Sequence, residues 1–188
     1  MEAQAELREE ALGGTTHISA VDANGNAASL SCSLGSSGGI IVPGTGIQLN
    51  NMLGETHLVG EERPGQRLMS LMAPSLLFRD GAPRLVIGSA GSTRLHGAIL
   101  QVLVNVAARG LGVGEAVEAA RMHVEKGVAH CEDPAAADEL EAAGYPVVRW
   151  RRRNLFFGGV SAVEIRDDGS LAAAGDPRRG GAGVVVEA

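Results

Sequence analysis

Residues 15–21, TTHISAV, and 27–34, AASLSCSL, alternate in polarity on either side of DANGN. A period of two turned by an Asn-Gly pair is the strongest local signal for a β-hairpin. It commits the start of the chain to antiparallel sheet. SLLFRDGAPRLVIGSAG repeats the pattern as a second hairpin, with Asp80–Pro83 as its turn. The 27 glycines fit the tight turns such a fold needs. Only 3% of residues are aromatic, so small aliphatic side chains must fill the core.

From Thr93 the period changes. Leu95, Ile99, Val102, Leu103 and Val106 share one helical stripe that ends at Gly110. Amphipathic, alanine-rich helices are expected over about 113–122 and 134–143. The chain then returns to strand patterns in YPVVRW, in GVSAVEIRDDGSLAAAGD with its Asp168-Gly169 turn, and in GAGVVV. Residues 35–46 are a Gly/Ser-rich loop around a short apolar strand, and a polar Gly/Pro stretch runs from Gly54 to Gln66. Runs of strands and of helices that stay apart imply an α+β layered fold on an antiparallel sheet rather than a doubly wound one. At 188 residues, with no repeat or strong internal boundary, one domain is expected.

Several function classes lack support. A net charge of −6 gives no basic surface for nucleic acid. The basic run Arg149 to Arg153 around Trp150 reads as a solvated strand end or a subunit contact. Five histidines and two distant cysteines form no metal-ligand spacing, so neither metal nor cofactor is expected. Cys32, in an apolar alternating run, reads as a buried small hydrophobe. No apolar run reaches the ~20 residues a membrane helix needs. The start, MEAQAELREEALGG, is acidic, reads as a short helix ending at Gly13-Gly14, and lacks a basic-then-apolar export signal; the chain as written would be cytoplasmic.

The Gly14–Thr15 junction carries two readings. It is a glycine join leading into a strand, or a bond the protein is built to break. A threonine hydroxyl is a weak nucleophile unless a base stands beside it, and a free α-amine on the same residue can be that base. Thr15 gains that amine only if the bond to Gly14 is cut. Its own hydroxyl can attack the Gly14 carbonyl, and glycine permits the strained backbone this needs.

Five motifs occur in order: GGTTHISAVDANGNAASLS, VPGTGIQLNN, LMSLMAPSLL, GSAGSTRLHGAILQVLVN and AAAGDPRRGGAG. Together they span about residues 13–183, and the chain resembles the catalytic small subunit of the gamma-glutamyltranspeptidase family. The resemblance implies an N-terminal-nucleophile (Ntn) hydrolase fold, a four-layer α/β/β/α sandwich of which this chain would be the small-subunit half. It implies residues 1–14 as the tail of a large-subunit segment and 15–188 as the small-subunit domain. Gly14–Thr15 becomes the self-cleavage site, Thr15 the nucleophile, and a large-subunit-like chain the heterodimer partner. Family members are often exported, so a periplasmic or extracellular location follows if this chain belongs to an exported precursor.

Other roles carry over by motif. Ser33 falls where the family places a hydroxyl that hydrogen-bonds the nucleophile. Ser89 to Thr93 matches the oxyanion loop, where backbone N–H groups such as those of Gly91 and Ser92 stabilise the tetrahedral intermediate by roughly 2.7–4 kcal/mol per donor. Ser92 replaces a glycine there, and a non-Gly residue resists positive φ. The pocket for the γ-glutamyl group departs further. Ser70 is followed by Leu71 where the family has a second serine, and Gly35 and Met52 replace residues that hold the α-amine. Glu55 is left as the anionic partner. Arg94 is a candidate for the substrate carboxylate or a brace for the oxyanion loop.

The expected reaction is therefore acyl transfer or amide hydrolysis on small γ-glutamyl compounds such as glutathione. Two alternatives stay open. One is a cephalosporin-acylase-like hydrolase of another dicarboxylic acyl amide; the other is an inactive or split small subunit that acts only with a large-subunit partner.

Overall fold

The structure, a computed structural model, describes residues 14–54, 63–67 and 69–186. The expected helix before Gly13 and the candidate Glu55 fall outside the described residues.

The first hairpin pairs β1 (Thr15–Val21) with β2 (Ala27–Ser33) as a two-stranded sheet, in a register that sets Thr15 opposite Ser33 and His17 opposite Ser31. At its turn the Asp22 carboxylate accepts from the N–H groups of Asn24 and Asn26, and Gly25 takes φ 81°. The second hairpin, β3 (Ser75–Arg79) and β4 (Ala82–Ala90), closes through Asp80 and Gly81, both at positive φ. Strands β8 (Gly159–Ile165) and β9 (Leu171–Gly175) complete an antiparallel sheet ordered β3-β4-β8-β9.

Strand β4 is covered on both sides, which explains its near-continuous apolar run. Leu85 and Ile87, with Val160 and Ala162 of β8, face α1 (Leu95–Ala107) and α2 (Val113–Glu118). Ala98, Ile99 and Val102 of α1 and Val113, Ala116 and Val117 of α2 close this core. The helical stripe read from the sequence is the buried one. The N-terminal amide of α2 at Val113 donates to the Glu164 carboxylate at 3.0 Å, so a charged acceptor meets the positive helix end. On its other face the four-stranded sheet carries the β1–β2 hairpin. Among the described residues, the first hairpin, the four-stranded sheet and helices α1 and α2 thus stack as three layers.

Four expectations are corrected. Helix α2 stops at Glu118, short of the expected 122, and Met122–Glu125 (β5) and Val128–Cys131 (β6) form a hairpin in the stretch between the two expected helices, where no element was expected. Its turn, Lys126-Gly127, takes two positive φ values without the Asn-Gly signature. After α3 (Pro134–Ala142), capped by the Asp133 carboxylate, strand β7 (Val147–Arg149) joins β6 in parallel, so the sheets are not wholly antiparallel and the helices do not form one run. The GAGVVV stretch forms no strand through Val186, with Val184 and Val186 exposed. Cys32 is exposed: it lies on the outward face of the first hairpin with Ile18 and Leu30, which are 58% and 54% exposed.

Candidate active site

The inward face of the first hairpin is polar. Thr15, His17 and Ser19 alternate inward along β1, and Ser29, Ser31 and Ser33 do so along β2. The Thr15 and Ser33 hydroxyls lie 2.9 Å apart, and the Ser33 oxygen also accepts from the Gly35 N–H at 3.0 Å. On the opposite side of Thr15 the backbone continues into Gly14, whose N–H donates to the Gly35 carbonyl at 2.8 Å and whose carbonyl accepts from the Leu34 N–H at 2.9 Å.

One pleat further in, His17 is buried between two serines. Its Nδ1 is 2.8 Å from the Ser31 hydroxyl and its Nε2 is 2.9 Å from the Ser19 hydroxyl. Ser19 already donates its proton to the Ser161 carbonyl at 3.1 Å. Nε2 must therefore carry the imidazole proton, and Ser31 donates to Nδ1. Burial pushes the His17 pKa below its ordinary value of 6.5, which keeps the ring neutral. Ser29 donates to the Ile87 carbonyl at 2.9 Å, so this polar layer fastens the hairpin to the four-stranded sheet.

Thr15, Thr16 and His17 form one wall of a cavity of about 240 Å3 that Ala90, Ser161 and Gly180 help to close. Ala90 leads directly into the loop of Gly91 and Ser92. Gly91 has φ 145°, and a Cβ there would lie 2.6 Å from the Gly158 Cα. Ser92 takes φ 55°, so the serine adopts the left-handed backbone its sequence position demands. Gly91 and Ser92 do not themselves line the cavity.

Behind this loop, Arg121 and Asp176 form a buried ion pair at 2.6 Å. Asp176 also accepts from the Val160 N–H, and Arg121 donates to the Phe157 and Gly158 carbonyls. Arg178, fully buried, pairs with Glu132 and donates to the Val117 and Ala119 carbonyls. Arg94 turns away from the cavity. It pairs with Glu125 at 2.7 Å and lies 4.4 Å over the Phe156 ring. Ser70 is exposed, and its hydroxyl accepts from the Met72 N–H at 3.1 Å. The basic run is held by carboxylates, Arg149 by Asp138 and Glu141 and Arg153 by Glu118.

The structure thus brings Thr15 and Ser33 together and sets the Gly91–Ser92 loop next to the same cavity. The sequence reading missed the His17 layer and the Arg121–Asp176 pair. The first had a signal: alternate polar residues on both arms of one hairpin mark a single polar face. The second had none, because 55 residues separate the partners.

Two packed sheets with helices on one side, and a threonine at the start of the first strand, are the fold of the Ntn hydrolases. The model of the gamma-glutamyltranspeptidase family matches residues 1–186, and the chain belongs to that family. It is 34% identical to a glutathione hydrolase proenzyme of Pseudomonas aeruginosa over 92% of this chain and 35% of the relative. It is 32% identical to the acylase ACY 1 proenzyme of Pseudomonas sp. strain SE83, over 92% of this chain and 32% of that one. The chain therefore spans about a third of the length of these curated relatives. Its backbone superposes with a TM-score of 0.78 on a solved gamma-glutamyltranspeptidase chain of Pseudomonas nitroreducens, complexed with L-DON. That match has 33% identity and covers 92% of this chain and all of the solved one.

Proposed function

We propose that residues 15–188 are the catalytic small-subunit portion of a gamma-glutamyltranspeptidase-type acyltransferase and amide hydrolase, and that residues 1–14 are the end of the preceding large-subunit segment. The observation that carries this reading is the 2.9 Å contact between the Thr15 and Ser33 hydroxyls, one bond beyond Gly14. Cleavage of Gly14–Thr15 gives Thr15 a free α-amine. That amine takes the Oγ1 proton as the oxygen attacks the acyl carbon of a substrate amide. Ser33 holds the hydroxyl in line. The N–H groups of Gly91 and Ser92 receive the developing oxyanion. The leaving amine departs with the proton, and water or an acceptor amine then attacks the Thr15 ester and restores the hydroxyl.

The partner is a large-subunit-like chain, covalently continuous before cleavage. It covers the outward apolar face of β1–β2, where Ile18 and Leu30 are exposed in this chain, and supplies the fourth layer. The relatives' extra length and the full coverage of a separate solved chain support this division.

The substrate is a small γ-glutamyl amide, with Ser70 and Glu55 contributing to its recognition. Arg94, engaged by Glu125 and Phe156, serves as a brace for the loop after Gly91. A second reading keeps the mechanism and changes the acyl group. Leu71, Gly35 and Met52 stand at positions of α-amine and α-carboxylate recognition, which suits a dicarboxylic acyl chain without the amine, and the acylase relative is almost as similar as the glutathione hydrolase. Turnover of γ-glutamyl and glutaryl anilides by the chain with its partner decides. Release from the γ-glutamyl compound supports the first reading, and release from the glutaryl compound alone supports the second.

A further inference from the structure

Gly14 is opposed by two residues of the neighbouring strand end rather than one. Its carbonyl oxygen accepts from the Leu34 N–H at 2.9 Å, while its own N–H donates to the Gly35 carbonyl at 2.8 Å. This two-against-one pairing is a β-bulge, a feature that re-aims groups beside reactive centres. Beside it the Gly35 N–H donates to the Ser33 hydroxyl at 3.0 Å, and Gly35 itself takes φ 62°. Two successive amides thus point at one spot: Leu34 N–H at the Gly14 carbonyl oxygen, Gly35 N–H at the hydroxyl that touches Thr15.

We propose that the Leu34 N–H is the oxyanion donor for self-cleavage of the Gly14–Thr15 bond. The proposal rests on the reading of Thr15 as nucleophile. Thr15 Oγ1 attacks the Gly14 carbonyl carbon and gives up its proton to solvent. The C=O electron pair moves onto oxygen, where the Leu34 N–H already donates, and negative charge there shortens and strengthens that bond. The C–N bond then breaks and the Thr15 nitrogen takes up a proton, leaving Gly14 as an ester on Oγ1. Water hydrolyses the ester to the Gly14 carboxylate and restores the Thr15 hydroxyl. The donor acts on the precursor alone, since Gly14 leaves once cleaved. It is therefore separate from the Gly91–Ser92 loop assigned to turnover.

Two further observations agree. The pair is packed closely: a Cβ at Gly14 would lie 3.1 Å from the Leu34 Cβ, so a larger residue pushes the carbonyl off the amide. Ser33 accepts from Gly35, which leaves its own proton free to follow the Thr15 oxygen as charge moves.

The test replaces the Leu34 N–H by an ester oxygen, through nonsense-codon incorporation of the α-hydroxy analogue of leucine in the full chain expressed with its partner. The same analogue at Leu49 removes the comparable Leu49 N–H to Ile40 carbonyl bond, 2.9 Å long, as the control. Cleavage is followed by intact mass, and folding by circular dichroism. Loss of one oxyanion donor slows such a step by roughly 100- to 1,000-fold. The Leu34 ester should slow cleavage on that scale, while the Leu49 ester cleaves at the wild-type rate. A folded Leu34 ester that cleaves like the Leu49 ester overturns the donor assignment and leaves Thr15 untouched. A wild-type chain that never cleaves overturns the nucleophile reading and the donor with it.

Discussion

The imidazole of His17 occupies the space directly over Gly88: a Cβ built on Gly88 would lie 2.1 Å from His17 Cε1. Only a residue without a side chain lets the first hairpin sit down on β4 at this point. Gly88→Ala must push the ring out of its serine pair, at a cost of about 1–3 kcal/mol or more for overpacking. We expect a lower midpoint in denaturant unfolding and loss of activity together. An unchanged midpoint would show that the hairpin does not rest on β4 through His17.

Ser92 sits at φ 55° in the loop assigned to the oxyanion. An L-residue there costs roughly 1–2 kcal/mol, and the extra freedom of an unfolded glycine costs about 0.5–1 kcal/mol. Ser92→Gly should therefore be neutral or stabilising by up to about 1.5 kcal/mol. It should also keep its rate, because the backbone N–H is unchanged. Thermal melting and a turnover assay check both parts; a rate loss above tenfold would assign the work to the Ser92 hydroxyl.

Asp176 joins Arg121 to the Val160 amide inside the protein, both charges almost wholly buried. Removing one partner strands the other charge. Asp176→Ala should cost about 3–5 kcal/mol, read as a shift in urea midpoint at constant slope. A change below about 1 kcal/mol would mean that solvent reaches the Arg121 guanidinium.

Burial lowers the pKa of His17, His123 and His130 below 6.5; nearby Arg94 adds to the effect on the last two. The unfolded chain therefore binds protons at these sites before the folded one does. Their contribution is complete above pH 6.5 and is lost as pH falls through the folded pKa values. The melting temperature should drop between pH 7 and pH 5, and His17→Gln should flatten part of that slope. A profile level across this window would contradict neutral buried imidazoles.

Much of the fold was legible where pattern and turn chemistry agreed. DANGN and the α1 stripe of Leu95, Ile99 and Val102 each carry a local physical signature, and each forms as expected. The β5–β6 hairpin was hidden because Lys126-Gly127 takes the turn without asparagine and the preceding alanines favour helix. Cys32 was misplaced because alternation separates two faces without saying which is buried. Here the polar face packs inward, and the apolar face of Ile18, Leu30 and Cys32 is exposed in this chain. At the candidate site, the motifs pointed to Thr15 and Ser33, whose hydroxyls lie 2.9 Å apart, whereas the Arg121–Asp176 pair follows from tertiary contact alone.

The chemistry proposed for this chain requires Thr15 to become an N-terminal nucleophile. Its most direct measurement is the intact mass of the chain expressed with its large-subunit-like partner, followed by peptide mapping after an acylating γ-glutamyl probe. The expected result is a fragment beginning at Thr15 that carries one probe on that residue, with cleavage and labelling both abolished by Thr15→Ala. An intact Gly14–Thr15 bond in the presence of the partner, with Thr15 unlabelled, would contradict it.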